Sequence, residues 1–100
     1  MRNLKVMMAY RGTNYHGYQR QDNAVTIQEK VEDCLSKIVD TPTVIYGCSR
    51  TDTGVHANSY CFNFMTNKSI ALKGIVRVMN ANLPRDISIL SCEEADESFH

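Results

Sequence analysis

The stretch from Thr26 to Val39 constrains the fold most, because it carries the clearest helical pattern in the chain. Thr26 and Glu29 have the spacing of a capping box, in which side chains bind the free backbone groups of a first helical turn. Apolar residues then recur on one helical face, at Ile27, Val31, Cys34, Leu35 and Ile38. The run Asp40-Thr41-Pro42 should end the helix, since a residue before proline avoids the helical region. The sequence therefore predicts an amphipathic helix from about Thr26 to Val39.

Strand patterns surround this helix. Alternation predicts a first strand over residues 4–10, and runs of apolar and aromatic residues predict strands over 43–46, 60–64 and 87–92. Ser69 is expected to cap a second helix, which carries Ile70, Leu72, Ile75, Val76 and Met79 and ends around Asn82–Asp86. The order β-α-β-β-α-β predicts an α+β, ferredoxin-like split βαβ fold: a four-stranded antiparallel sheet with two helices on one face.

Length and composition favour one globular unit. The chain has 100 residues, of which 43% are hydrophobic and 22% charged, so we expect residues 1–100 to form a single domain. No apolar run approaches the roughly 20 residues that cross a bilayer, and the start lacks the apolar segment of a signal peptide. We therefore expect a cytoplasmic protein with no membrane partner. The formal net charge of zero gives no global attraction to nucleic acid, although it leaves room for a local one.

The cysteines do not suggest a metal site. Cys34, Cys48, Cys61 and Cys92 form no C-x-x-C pair. We expect them to be free thiols rather than zinc ligands.

The segment from Ser49 to Ala57 is the strongest catalytic candidate. It places Asp52 close to Arg50 between two predicted strands, and loops between rigid strands are where functional groups are displayed. A neighbouring arginine favours the ionised aspartate, which can act as a nucleophile or a base. An Asx turn is the simple structural alternative. An aspartic protease D-T-G motif is another, but Arg50 and Thr51 are polar where a protease has an apolar strand, and helices do not suit that all-β fold.

A second polar segment, from Asn14 to Gln21, follows the first strand. It combines two aromatic residues, a histidine, two glutamines and an arginine around Gly17. Unpaired RNA bases are held by stacking on aromatic or guanidinium groups and by amide hydrogen bonds. A solvated loop with one tyrosine packed on the sheet is the alternative interpretation.

Together these segments make the sequence resemble the tRNA pseudouridine synthase A (TruA) family. The G-T-x-Y-x-G-W-Q-x-Q loop of that family is matched by Gly12, Thr13, Tyr15, Gly17, Gln19 and Gln21. Its G-R-T-D-x-G-V-H-A signature is matched by Arg50, Thr51, Asp52, Gly54, Val55, His56 and Ala57. Its L-N-x-x-L-P-x-D-I region is approached by residues 79–87, and its F-H-A-R segment begins with Phe99-His100. The chain departs from the family at Arg11, Tyr18 and Ser49, where the family has an acid, a tryptophan and a glycine.

The resemblance implies isomerisation of uridine to pseudouridine in the tRNA anticodon stem-loop, at positions 38 to 40, without a cofactor or metal. Asp52 would be the catalytic nucleophile or base, attacking the sugar or the uracil ring or removing a sugar proton. Arg50 would pair with Asp52 and help to hold the flipped nucleotide. The RNA-binding residues implied are Tyr15, His16, Gln19, Arg20, Gln21, Thr51 and His56, with His56 ordering its loop rather than acting as a second acid.

The resemblance also implies that the chain is the N-terminal half of such an enzyme. The missing C-terminal domain would enclose the cleft and supply an aromatic residue to stack on the uracil, so we expect the isolated chain to be inactive. Two alternatives remain open. One is a stand-alone ferredoxin-like RNA-binding module without catalysis, and the other is a homodimer that pairs through its exposed sheet.

Overall fold

The computed structural model describes residues 2–11, 26–47 and 57–95. Their elements are, in order, β1 (Arg2–Tyr10), α1 (Ile27–Val39), β2 (Tyr46–Gly47), β3 (Ala57–Thr66), α2 (Leu72–Asn82) and β4 (Ile87–Ala95). The strands form one antiparallel sheet in the order β2-β3-β1-β4. The predicted α+β fold with β-α-β-β-α-β order is confirmed.

Both helices pack on the same face of the sheet. Every second residue of β1 from Leu4 to Tyr10 is buried, and the residues of β3 that pair with Leu4, Val6 and Met8 are aromatic. These side chains form one core with apolar residues of both helices. The most deeply buried members are Leu4, Val6, Met8, Ile27, Val31, Leu35, Phe62, Phe64, Ile75 and Met79. Burial of this shared apolar surface is what holds the helices against the sheet.

The predicted α1 is confirmed together with its cap. Thr26 precedes the helix in an extended conformation, and its Oγ1 accepts a hydrogen bond from the Glu29 backbone N–H at 3.2 Å. The helix ends at Val39, and Asp40 follows in the left-handed region with φ of 56°. The Asp40 backbone N–H donates to Ser36 O, which satisfies a carbonyl of the last turn.

The predicted cap of α2 is wrong. The helix begins at Leu72, its N-cap is Ala71, and no side chain caps it. The residues before it are held by Arg2, whose Nη1 donates to the carbonyls of Lys68 at 2.8 Å and Ile70 at 3.1 Å. Because this contact comes from β1, the local pattern around Ser69 could not reveal it.

The second strand begins later than predicted. The sequence indicated a strand over 43–46, whereas β2, within the described residues, comprises Tyr46 and Gly47. The Thr43 backbone N–H donates to Ser36 Oγ at 2.9 Å, and the Ile45 backbone N–H donates to Glu32 Oε2 at 3.0 Å. These donors therefore bind side chains of α1 instead of a neighbouring strand. In contrast, β3 and β4 are longer than predicted because both continue to pair with β1 over its length.

Candidate active site

All the residues predicted to be catalytic or RNA-binding lie outside the described residues. They belong to the segment 12–25, which joins β1 to α1, and to the segment 48–56, which joins β2 to β3. The positions concerned are Tyr15, His16, Gln19, Arg20, Gln21, Arg50, Thr51, Asp52 and His56. The roles assigned to them stay predictions.

The structure does fix where these two segments are attached to the sheet. Tyr10 at the end of β1 pairs with Ala57 at the start of β3. Directly paired residues of antiparallel strands are about 4.5–5.5 Å apart at Cα, so the first segment leaves the sheet beside the point where the second rejoins it. β2 runs towards this same end, since Gly47 pairs with Phe62 and Tyr46 with Asn63. We call this the β1/β3 end of the sheet.

The turn before β4 meets the same end. Tyr10 pairs with Ile87, and the Arg11 backbone N–H donates to Asp86 O at 2.9 Å. The turn itself is closed by the Ile87 backbone N–H donating to Pro84 O at 3.1 Å. Arg11 and Arg85 are both exposed here. The described part of the β1/β3 end therefore contributes two guanidinium groups, which suit phosphate oxygens.

Buried aromatic residues support the β1/β3 end from the helix side. The Tyr10 and Tyr60 rings are 5.8 Å apart between centroids and inclined at 59°, and both side chains are 3% exposed. Tilted packing of this kind is favourable for aromatic pairs. Tyr10, the last residue of β1, and Tyr60, close to the start of β3, are thus part of the core beside the points where the predicted functional segments are attached.

Cys34 and Cys92 are poorly suited to nucleophilic chemistry. Among the described residues, Cys34, Cys61 and Cys92 form no disulfide bond. Burial raises the pKa of Cys92 to about 11, and burial also raises the pKa of Cys34 despite the nearby Lys37. Thiols with raised pKa values stay protonated near neutral pH and are weak nucleophiles.

Two further properties concern only the described ranges. Within residues 2–11, 26–47 and 57–95, no group of three His, Cys, Asp or Glu side chains is arranged to hold a metal ion. Neither α1 nor α2 is long and apolar enough to cross a membrane.

The sequence did not reveal the side chains that hydrogen-bond to the backbone at or next to the edge strands, β2 and β4. Glu32 and Ser36 bind the backbone that leads into β2, and Asn80 of α2 binds the backbone of Ile89 in β4. The only available signals were a charged residue on the apolar side of α1 and the asparagine of the 79–87 motif.

Comparison with known proteins gives a consistent result. A family model described as tRNA pseudouridine synthase matches residues 6–100. The chain is 45% identical over 100 residues to tRNA pseudouridine synthase A of Clostridium kluyveri, covering 100% of this chain and 41% of that protein. It is 46% identical, with the same coverage of both chains, to tRNA pseudouridine synthase A 2 of Clostridium perfringens and to tRNA pseudouridine synthase A of Clostridium acetobutylicum. The chain thus spans about two fifths of the length of these curated relatives, and it matches their N-terminal part.

Proposed function

The chain belongs to the tRNA pseudouridine synthase A family, and we propose that it is the N-terminal catalytic half of an enzyme that isomerises uridine to pseudouridine in the tRNA anticodon stem-loop. The observation that carries this proposal is the family match across residues 6–100, which includes both predicted functional segments. The attachment of these segments at the β1/β3 end supports it, because one site requires them to be close together.

Asp52 is the catalytic carboxylate in this proposal. The reaction breaks the bond between uracil N1 and the ribose, turns the base, and forms a bond from its C5 to the same sugar carbon. The C5 hydrogen leaves as a proton and N1 gains a proton, so the product is an isomer of uridine. Asp52 acts as a nucleophile on the sugar or the ring, or as a base that removes a sugar proton. Arg50 pairs with Asp52 and keeps its carboxylate ionised. Arg50 also helps to hold the nucleotide flipped out of the stack. The residues that bind the RNA in this proposal are Tyr15, His16, Gln19, Arg20, Gln21, Thr51 and His56.

Arg11 and Arg85 extend this RNA-binding surface. Both are exposed at the β1/β3 end, and phosphate contacts by arginine supply much of the affinity for nucleic acid. The departure from the family at Arg11 replaces an acid by a cation, which favours contact with the phosphate backbone. Its tRNA substrate places the enzyme in the cytoplasm.

Catalysis requires more of the protein than these 100 residues. A carboxylate at the end of one sheet does not by itself enclose a flipped base or exclude water. The relatives are more than twice as long as this chain, which covers 41% of each. The rest of the protein completes the cleft, and the 100-residue chain alone is inactive.

Pseudouridine formation on an anticodon stem-loop tests the proposal. The complete protein should convert a uridine in this stem-loop, whereas the 100-residue chain and the Asp52→Asn variant of the complete protein should not. Conversion by the Asp52→Asn variant at the wild-type rate would eliminate the catalytic role of Asp52. Salt-dependent tRNA binding by the complete protein without any conversion would instead favour the RNA-binding module.

A further inference from the structure

Three polar residues form a stripe along α1. Gln28, Glu32 and Ser36 are spaced four residues apart and therefore lie on one side of the helix. Glu32 is only 6% exposed, although its side chain is acidic. Its Oε2 accepts hydrogen bonds from Gln28 Nε2 and from the Ile45 backbone N–H, both at 3.0 Å.

This stripe holds the chain that leads into β2. One helical turn beyond Glu32, Ser36 Oγ accepts from the Thr43 backbone N–H at 2.9 Å. The backbone donors of residues 43 and 45 in the connector are thus bound by side chains from successive turns of α1. Burying a carboxylate is costly unless it is hydrogen-bonded, and the bond to Ile45 offsets that cost.

The position of β2 depends on this contact as well as on the sheet. Within the described residues 26–47, β2 comprises Tyr46 and Gly47, which pair with Asn63 and Phe62 of β3. Ile45, the residue immediately before it, is 3% exposed and belongs to the core. β2 lies at the edge of the described sheet and is paired on one side by β3, so the hydrogen bonds from α1 add to the constraints on its position.

We propose that Glu32 and Ser36 are positioning residues for the uridine isomerisation: through the backbone of Thr43 and Ile45 they fix the strand from which the segment carrying Asp52 begins. This inference rests on the proposed function. Small displacements of a catalytic group reduce the rate strongly, whereas Thr51 and His56 are two of several RNA-binding residues, so the effect of losing Glu32 or Ser36 falls on the chemical step more than on RNA binding.

Substitutions of Glu32 and Ser36 in the complete protein test this role. Glu32→Met removes the acceptor while keeping an unbranched side chain, Ser36→Ala removes the second acceptor with little change of volume, and Glu32→Gln keeps a side-chain oxygen for Ile45. Val31→Ala is the matched control, because it destabilises the same helix through the core. Single-turnover rates and RNA affinity are measured on an anticodon stem-loop at a temperature where every variant is folded, and hydrogen exchange is measured on the peptide covering residues 41–47.

Glu32→Met should lower the rate at saturating RNA on the order of tenfold to a hundredfold, with a much smaller change in RNA affinity and faster exchange in residues 41–47. Ser36→Ala should do the same to a smaller extent, whereas Glu32→Gln and Val31→Ala should keep the rate. A rate for Glu32→Met and Ser36→Ala equal to that of Val31→Ala, with Asp52→Asn inactive, would overturn the positioning role alone. Full activity of Asp52→Asn would overturn the proposed function and this inference with it.

Discussion

At the scale of the residue, Asn80 shows how one side chain secures the outer strand of the sheet. Its Nδ2 donates to Ile89 O at 3.0 Å, and its Oδ1 accepts from the Ile89 backbone N–H at 2.7 Å. β4 lies at the edge of the described sheet and pairs with β1 on one side. On its other side, the backbone N–H and C=O of Ile89 bind Asn80 of α2 instead of another strand. The asparagine of the 79–87 motif thus has a structural role in joining α2 to β4.

We expect Asn80→Ala to lower the free energy of unfolding by about 1–3 kcal/mol, because two hydrogen bonds to backbone are lost together. Asn82→Ala is the control on the same helix, since Asn82 Nδ2 donates to Val78 O in an exposed position. Its effect should stay within about 0.5 kcal/mol. Chemical denaturation measures the free energy of unfolding of both variants. An equal loss of stability in Asn80→Ala and Asn82→Ala would show that the hydrogen bonds to Ile89 add no stability beyond that of an exposed asparagine.

Cys92 provides a prediction of pH dependence. Burial raises its pKa to about 11, and the neighbouring Arg2 only partly opposes this shift. The protonated thiol is therefore favoured in the folded state, and alkylation by iodoacetamide, which requires the thiolate, should be slow at pH 8 and should rise towards about pH 11. Peptide mass spectrometry follows the modification of Cys92, with the urea-unfolded protein as reference. A folded-state profile that matches the unfolded one would contradict the raised pKa.

At the scale of the element, the sequence predicted best where the determinants are local. The cap and the apolar face of α1 lie within one stretch of sequence. Thr26, Glu29 and the apolar residues between Ile27 and Ile38 were therefore sufficient to predict the helix. The start of α2 depends on Arg2, and the start of β2 depends on Glu32 and Ser36. Because these hydrogen bonds come from distant parts of the chain, they produce no periodic pattern in the segments whose boundaries they affect.

The cap of α1 can be tested directly. Thr26→Ala should lower the free energy of unfolding by about 0.5–2 kcal/mol, because the Glu29 backbone N–H loses its acceptor. Thr26→Ser keeps the hydroxyl and should recover most of this loss, although Thr26 is fully buried and its methyl group also packs. Thermal unfolding of both variants provides the measurement. A serine variant as unstable as the alanine variant would assign the effect to packing instead of capping.

At the scale of the whole molecule, the topology adds what the motifs alone could not give. The residues of the predicted site were visible in the sequence, but the neighbouring attachment of their segments follows from the pairing of Tyr10 with Ala57. Long-range register of this kind depends on the packing of both helices on one face, which no single segment encodes. The arrangement of Asp52 and Arg50 themselves stays a prediction, since both lie outside the described residues.

The central claim is that Asp52 acts on the substrate and is not merely part of an RNA-binding surface. In the complete protein, single-turnover pseudouridine formation and RNA affinity should be measured on the same anticodon stem-loop for Asp52→Asn and for Asp33→Asn, an identical change at an exposed position of α1. We predict that Asp52→Asn lowers the rate about 1,000-fold or more with little change in affinity, whereas Asp33→Asn leaves both unchanged. Equal rates for the two variants would contradict the catalytic assignment of Asp52.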